Sequence, residues 1–472
     1  MGQEKATAPL LTTTAGPDGG ARAGPVSWRS RLGLHPGWCL CAAAAVTAAL
    51  WFSHMPSLLL RAQFYADDGG WYQAAYTRGP LLTLVQPAAG YLVSLQRLAA
   101  ALSLLLPTLA APTFFNLVAL GVEVAAIGYL LSARMSSAIP SVEVRIALAL
   151  LVIVLPNAYD TSGNLTNAQW HLALIAFLVV FAAPSRRVGG AIWDGAVLVL
   201  SGLSGPYCIL LEPIIGWRWL RSRAEPRLRW VLVANSVCVL VQVAVILATA
   251  ATERTSGSLG AGLVPLVTML GRQVTLGLMV GAHGLSALVG TPLGTNPVVL
   301  GALAVIPVAA CTWAAWHGPA ILRAFCIYAL LELGLALVAP SIAPPRWPNL
   351  GRPADIVNFH PGGIRYFLFP LLAFAISLGW LAVRGLRLVR ERRTRGFTAH
   401  PLRVGTARVA GVAATLLLVL GATNGVPRDW LYPPYLDEHW GAEVQRLDTA
   451  TPGTKVVIPI NPQGWTVTLV AR

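Results

Sequence analysis

Two adjacent carboxylates, Asp67 and Asp68, stand in the run Arg61-Ala-Gln-Phe-Tyr65-Ala-Asp67-Asp68-Gly-Gly-Trp71-Tyr72. A carboxylate held at a membrane surface can take a proton from a hydroxyl, and the neighbouring Trp71 and Tyr72 offer flat faces to a sugar or a lipid headgroup. The plainer account is a solvated, helix-capping pair of aspartates flanked by interfacial aromatics. A second polar run, Asn157 to His171, gathers Asp160, Asn164, Asn167, Gln169 and His171. Amides and an imidazole at a helix start can bond sugar hydroxyls or phosphate oxygens, because helix N-termini favour anions. Capping accounts for Asn164 or Asn167, but Gln169 and His171 fall inside the expected helix, where polar groups face a bundle interior or a wet cavity. Asn164-Leu-Thr166 also fits a glycosylation sequon, a short pattern with a high chance rate.

A third run, Arg346 to Phe367, carries Arg352, Asp355, His360, Arg365 and Tyr366. Arginine binds phosphate through two parallel hydrogen bonds, so Arg365 where a span begins is a natural ligand for a lipid phosphate. The alternative is a side chain snorkelling to headgroups. Glu123, Glu212 and Glu332 fall within or at the ends of expected spans, where an acid is either functional or paired across helices. The chain has no phosphate-binding P-loop, no His-Glu-x-x-His and no nucleophile elbow. Its six cysteines lie in or beside apolar runs and follow neither a disulfide nor a metal-binding spacing.

The elements that must hold these groups are membrane helices. Of 472 residues, 56% are hydrophobic and 11% charged, and the mean hydropathy is +0.64. A soluble domain carries about 25% charged residues, so a water-soluble fold could not hide this much apolar surface. Runs of about 20 apolar residues, enough to cross roughly 30 Å of hydrocarbon as a helix, recur along the chain. They lack the alternation of barrel strands. The formal charge of +15 is scattered between spans rather than gathered on one face, which argues against nucleic-acid binding.

Arginine and lysine resist translocation, so basic loops mark the cytoplasmic side. The tail before residue 38, 134–145, 185–187, 218–229 and 384–408 are then cytoplasmic, and 61–111, 157–166, 252–296, 341–363 and everything after 424 lie outside. The expectation is an all-α polytopic membrane protein of about eleven transmembrane helices. A disordered cytoplasmic tail (1–37) precedes a bundle (38–424), and a small mixed extracytoplasmic segment (425–472) follows it. The expected spans are 38–60, 112–132, 144–156, 167–183, 191–203, 206–217, 228–251, 297–316, 320–340, 364–383 and 406–424. Ser204-Gly205-Pro206 breaks a short pair of helices. Residues 80–106 and 262–290 are expected as interfacial amphipathic helices, with a crossing pair as the rival at either place. The β-branched runs of 455–469, bounded by Pro and Gly, suggest a strand pair. The protein is expected in the plasma membrane, N-terminus inside and C-terminus outside.

A first span, an external Asp67-Asp68 motif, an interfacial helix and then a basic-looped bundle with a broken pair at Gly202-Leu-Ser-Gly205-Pro206 together resemble the GT-C superfamily of polyprenyl-phosphate-dependent membrane glycosyltransferases. That resemblance implies a polyprenyl-phosphate-linked sugar as donor and a cell-envelope glycan, lipid or protein as acceptor. It implies that Asp68 or Asp67 acts as catalytic base, or as a metal- or acceptor-positioning group, and that Arg365 or Arg352, with Tyr366, holds the carrier phosphate. Trp71, Tyr72, Asp160, Asn164, Asn167, Gln169, His171 and His360 would contact sugar or acceptor. A divalent cation stays open as a cofactor, and no metal ligands are assigned because a second acidic motif is missing. A large C-terminal soluble domain is missing too. The rival reading is a transporter or flippase for a lipid-linked saccharide or small molecule, which also needs wet intramembrane acids. Membrane lipids are partners under either reading; the oligomeric state is left open.

Overall fold

The computed structural model describes residues 36–249, 263–338, 361–395 and 401–472. The chain divides into a short unit, Met1–Ala42, of which residues 36–42 are described as helix, and a large one, Ala43–Arg472. Helices dominate: α1 (Pro36–His54), α2 (Asp67–Arg78), α3 (Ser94–Ser103), α4 (Ala111–Leu131), α5 (Val142–Ile153), α6 (Ala168–Phe181), α7 (Val188–Gly202), α8 (Tyr207–Arg221) and α9 (Pro226–Thr249). After α10 (Leu263–Met269), a π-helical stretch Leu270–Leu276 leads into α11 (Gly277–Ala287). The longer helices that follow are α12 (Pro297–His317), α13 (Ala320–Val338), α14 (Leu368–Arg395), α15 (Pro401–Leu420) and α16 (Trp440–Thr449).

Among the described residues, six stretches are long and apolar enough to cross a membrane: Thr108–Leu131, Pro226–Thr249, Val264–Ala287, Pro297–His317, Gly363–Leu388 and Gly405–Arg428. Pro226–Thr249, Pro297–His317 and Gly405–Arg428 leave most of their apolar length exposed, which fits lipid as their surroundings. In α9 only Leu228, Val231, Asn235, Cys238 and Gln242 are buried, a three-to-four-residue stripe, while Trp230, Leu240 and Leu247 are each 70–72% exposed. Exposed apolar surface on that scale would be costly in water and is neutral against acyl chains. α6 is the opposite case. Every residue from Trp170 to Phe181 is buried, so it is the core helix around which the others pack. The protein is thus a predominantly α-helical, membrane-embedded fold.

Helices also lie over the other apolar runs, and α7 and α8 are separated at Ser204–Pro206. There the Ser204 hydroxyl accepts from the Leu95 amide at 2.8 Å, and Gln242 donates to the carbonyls of Gly202 and Gly205, each at 3.1 Å. The break thus keeps its backbone groups satisfied inside the protein.

The two expected interfacial stretches differ from a single amphipathic helix. Within 80–106, a short turn Pro80–Leu84 and α3 are separated by residues 85–93, since Pro87 cannot continue a helix. Residues 264–287 have the length of a span, but Gly281 leaves helical geometry (φ 72°, ψ 177°). The chain folds back there. Arg272 donates to the Leu285 carbonyl at 3.3 Å and to the Gly294 carbonyl at 2.7 Å, whereas thirteen residues of straight helix would separate Arg272 from Leu285 by about 20 Å.

The end of the chain holds the expected strand pair. β1 (Lys455–Ile460) and β2 (Trp465–Val470) run antiparallel, from Lys455 opposite Val470 to Ile460 opposite Trp465. Val456, Ile458, Ile460, Val467 and Leu469 form the buried face, with α16 adding Trp440, Val444 and Leu447 at helical spacing. At the far end of the bundle, the Asp194 carboxylate of α7 accepts from Arg134, from Arg227 (3.2 Å) and from the Tyr129 hydroxyl (3.0 Å). Arg134 and Arg227 also donate to the carbonyls of Ala183, Ala182 and Val179, where α6 ends.

Candidate functional site

The acidic loop is built by packing first. Phe64 is fully buried, its ring 5.0–5.1 Å from those of Tyr72, Phe115 and Trp440. Ala66 then takes a positive φ of 48°, which turns the chain so that Asp67 and Asp68 open α2. Carboxylates at that position meet the positive end of the helix dipole and its free amides.

The two acids are not equivalent. Asp67 is partly exposed, while Asp68 is wholly buried. Asp68 Oδ1 accepts from the Thr166 hydroxyl at 2.7 Å, and its Oδ2 has no hydrogen-bond partner among the described residues. Burial pushes its carboxyl up to about 7, with the Asp67 charge adding to the rise and the Thr166 hydroxyl opposing it.

The 157–167 loop closes on itself. The Asp160 carbonyl accepts from Asn164 Nδ2 at 2.9 Å and Asn167 Nδ2 at 2.7 Å, and Asn164 Oδ1 accepts the Asn167 amide at 2.9 Å. Behind it, Glu123 Oε1 takes the Gly163 amide at 2.7 Å. The Asp160 side chain points the other way, accepting from the Tyr65 hydroxyl at 3.0 Å. Its carboxyl is raised by burial against the opposing pull of Arg365 and the Tyr65 hydroxyl. Tyr435 stacks on Tyr65 (centroids 5.8 Å apart) and donates to the Gly163 carbonyl at 3.3 Å, so the C-terminal segment joins both loops.

Arg365 sits on the turn Pro361–Phe367, which packs against the Tyr159–Thr161 turn. It stands next to Tyr366, with Nη2 donating to the phenol oxygen at 3.5 Å, and its charge is felt by Asp160. Among the described residues it makes no ion pair with a carboxylate. A half-buried guanidinium that feels Asp160 and Asp67 only at longer range can still take an anion's oxygens through its fork of N–H groups.

Asp67, Asp68, Asp160, Arg365 and Tyr366 are therefore brought to one end of the bundle from three distant segments. Several other candidates are already engaged. Tyr72 packs in the aromatic core, Trp71 carries the Arg97 guanidinium 4.8 Å over its ring, and Gln169 accepts from Gln96 at 3.2 Å. Asn164 and Asn167 shape their own loop, and His171 is buried edge-on to Trp51, 5.9 Å between centroids. Arg352 and His360 lie outside the described residues. Residues not singled out as ligands, Tyr65, Thr166, Tyr435 and Asn461, make the ties between segments. Tyr65 stands in the acidic motif itself, but nothing local marks Asn461. Among the described residues no group of three or more His, Cys, Asp or Glu side chains is placed to hold a metal ion. No protein-family model and no curated protein matches the chain.

Proposed function

We propose that the chain is a membrane glycosyltransferase of the GT-C type, moving a sugar from a polyprenyl-phosphate donor to a cell-envelope acceptor at the outer face of the plasma membrane. The observation that supports this reading is that a partly exposed acid, Asp67, lies close enough to Arg365 for its charge to be felt there, at one end of a membrane bundle, while Arg365 makes no carboxylate ion pair among the described residues. The acceptor hydroxyl attacks the anomeric carbon and passes its proton to Asp67. The bond from that carbon to the phosphate oxygen breaks, and Arg365 with Tyr366 takes up the charge left on the polyprenyl phosphate. Asp68 and Asp160, bonded to Thr166 and Tyr65, hold the loops that present these groups.

On this reading there are eleven crossings, α1, α4 to α9 and α12 to α15, with the N-terminus in the cytoplasm and the C-terminus outside, and basic connectors on the cytoplasmic side support that sidedness. Val264–Ala287, kinked at Gly281, is taken as a re-entrant segment that adds no crossing, although its length and apolarity would also allow one. A hydrogen-bonded reversal buried in protein is the form in which such a segment is tolerated at membrane depth.

The test is release of polyprenyl phosphate by the full chain in liposomes supplied with polyprenyl-phosphate-linked sugars and an envelope-derived acceptor. Wild type should release it, and Arg365→Ala or Asp67→Ala should each lose about 10³-fold of the rate with the folded fraction unchanged. Full turnover in both variants would overturn the reading, and so would lipid translocation without release in the wild type.

A further inference from the structure

The C-terminal hairpin lies far from the acidic motif in sequence and directly beneath it in space. Asn461, 3% exposed, donates its amide to the Phe64 carbonyl at 3.1 Å, and its own carbonyl accepts from the Ala66 amide at 2.6 Å. Ala66 is the residue whose unfavourable φ turns the chain into α2, and such a conformation persists only where its surroundings hold it. Asn461 is itself gripped from the other side. Its Oδ1 accepts the Leu436 amide at 2.9 Å and its Nδ2 donates to the Leu436 carbonyl at 3.0 Å.

The contact continues along α2. A Cβ on Gly69 would come within 2.6 Å of Ile460 Cδ1, so the turn after the acids rests on the end of β1 with no room for a side chain. Gln73 Oε1 accepts the Thr468 amide at 2.9 Å, the Tyr76 hydroxyl donates to the Val470 carbonyl at 3.1 Å, and the Arg472 guanidinium lies 3.9 Å over the Tyr76 ring.

We infer that the hairpin is a positioning element for the acidic loop, with Asn461 as the positioning residue that fixes where Asp67 and Asp68 stand. Its consequence for catalysis rests on the glycosyltransferase reading; the mechanical coupling does not.

Hydrogen exchange on the full chain in lipid nanodiscs tests it. Asn461→Ala removes the two side-chain bonds to Leu436, and peptides covering 62–69 should then exchange about tenfold faster while those of α6 keep their wild-type rates. Faster exchange in the hairpin with 62–69 unchanged would overturn the inference. Where Asn461→Ala loosens the whole chain, Gln73→Ala decides. It deletes only the acceptor for Thr468, and acceleration of 62–69 supports the coupling while an unchanged rate overturns it. In the transfer assay Asn461→Ala should lower kcat with KM unchanged and shift the pH profile. A wild type that transfers nothing would remove the glycosyltransferase reading and leave the exchange result to decide the coupling.

Discussion

Asp194 and Asp68 are both buried carboxylates in the same bundle, yet their surroundings differ in kind. Asp194 is surrounded by two guanidinium groups and a phenol, so both its oxygens are bonded. Asp68 and Asp160 have one hydroxyl donor each and an oxygen with no partner among the described residues. A carboxylate matched by cations ties helix ends together and has little left to offer a substrate. Carboxylates left half-bonded are costly to bury, so Asp68 and Asp160 carry a penalty that Asp194 does not.

The sharpest way to break that contrast is to remove the matched acid. Asp194→Ala strands two partly buried arginines at the end of α6, and the protein should lose about 3–5 kcal/mol of stability. Denaturant unfolding in detergent measures it, and on the glycosyltransferase reading the molecules that stay folded should transfer sugar at the wild-type rate. A loss below about 1 kcal/mol, typical of an exposed pair, would show that the Asp194 cluster is not a structural tie.

Acidity sharpens the contrast at the other end. The folded chain holds the Asp68 proton up to about pH 7, whereas an unfolded aspartate releases it near pH 4. Folding therefore favours the protonated form. This contribution to stability is complete below about pH 4, declines as the pH rises, and is gone above about 7. Thermal unfolding at pH 5 and pH 8 should show a larger fall for wild type than for Asp68→Asn. Equal falls would mean that Asp68 is not the buried, under-bonded acid described.

The same division governs what could be seen in the sequence. Apolar runs such as 112–132 and 228–251 are legible because lipid demands continuous hydrophobic length, and α4 and α9 lie over them. The break at Ser204-Gly205-Pro206 is equally local, and so is the β-branched alternation of 455–469. The path of 262–290 is not, because it depends on Gly281 adopting a positive φ while Arg272 reaches back to Leu285. Site residues divide likewise. Asp67, Asp68, Asp160 and Arg365 stand out by type, since charge is rare in this chain. Which of them is exposed depends on partners up to about a hundred residues away, such as Thr166 for Asp68. The loss of Trp71 to Arg97 and the grip of Asn461 on Ala66 are long-range pairings with no local signature.

The finest probe of the contrast is a pair of matched hydroxyl deletions. Tyr65 and Tyr129 each donate to an aspartate oxygen at 3.0 Å, Asp160 in one case and Asp194 in the other. In Tyr129→Phe the Asp194 oxygen keeps its bond from Arg134 Nη1 at 2.8 Å, so the loss should be that of a replaceable hydrogen bond, about 0.5–1 kcal/mol. In Tyr65→Phe the Asp160 carboxylate loses the only side-chain donor it has among the described residues. The penalty becomes that of an unsatisfied buried acceptor, about 1–3 kcal/mol, and the Asp160 carboxyl rises further because the phenol had been holding it down. The difference between the two variants, measured under one set of unfolding conditions, isolates the surroundings of the acid from the chemistry of the substitution. Equal losses, or a larger one for Tyr129→Phe, would mean that the two ends of the bundle treat their buried acids alike.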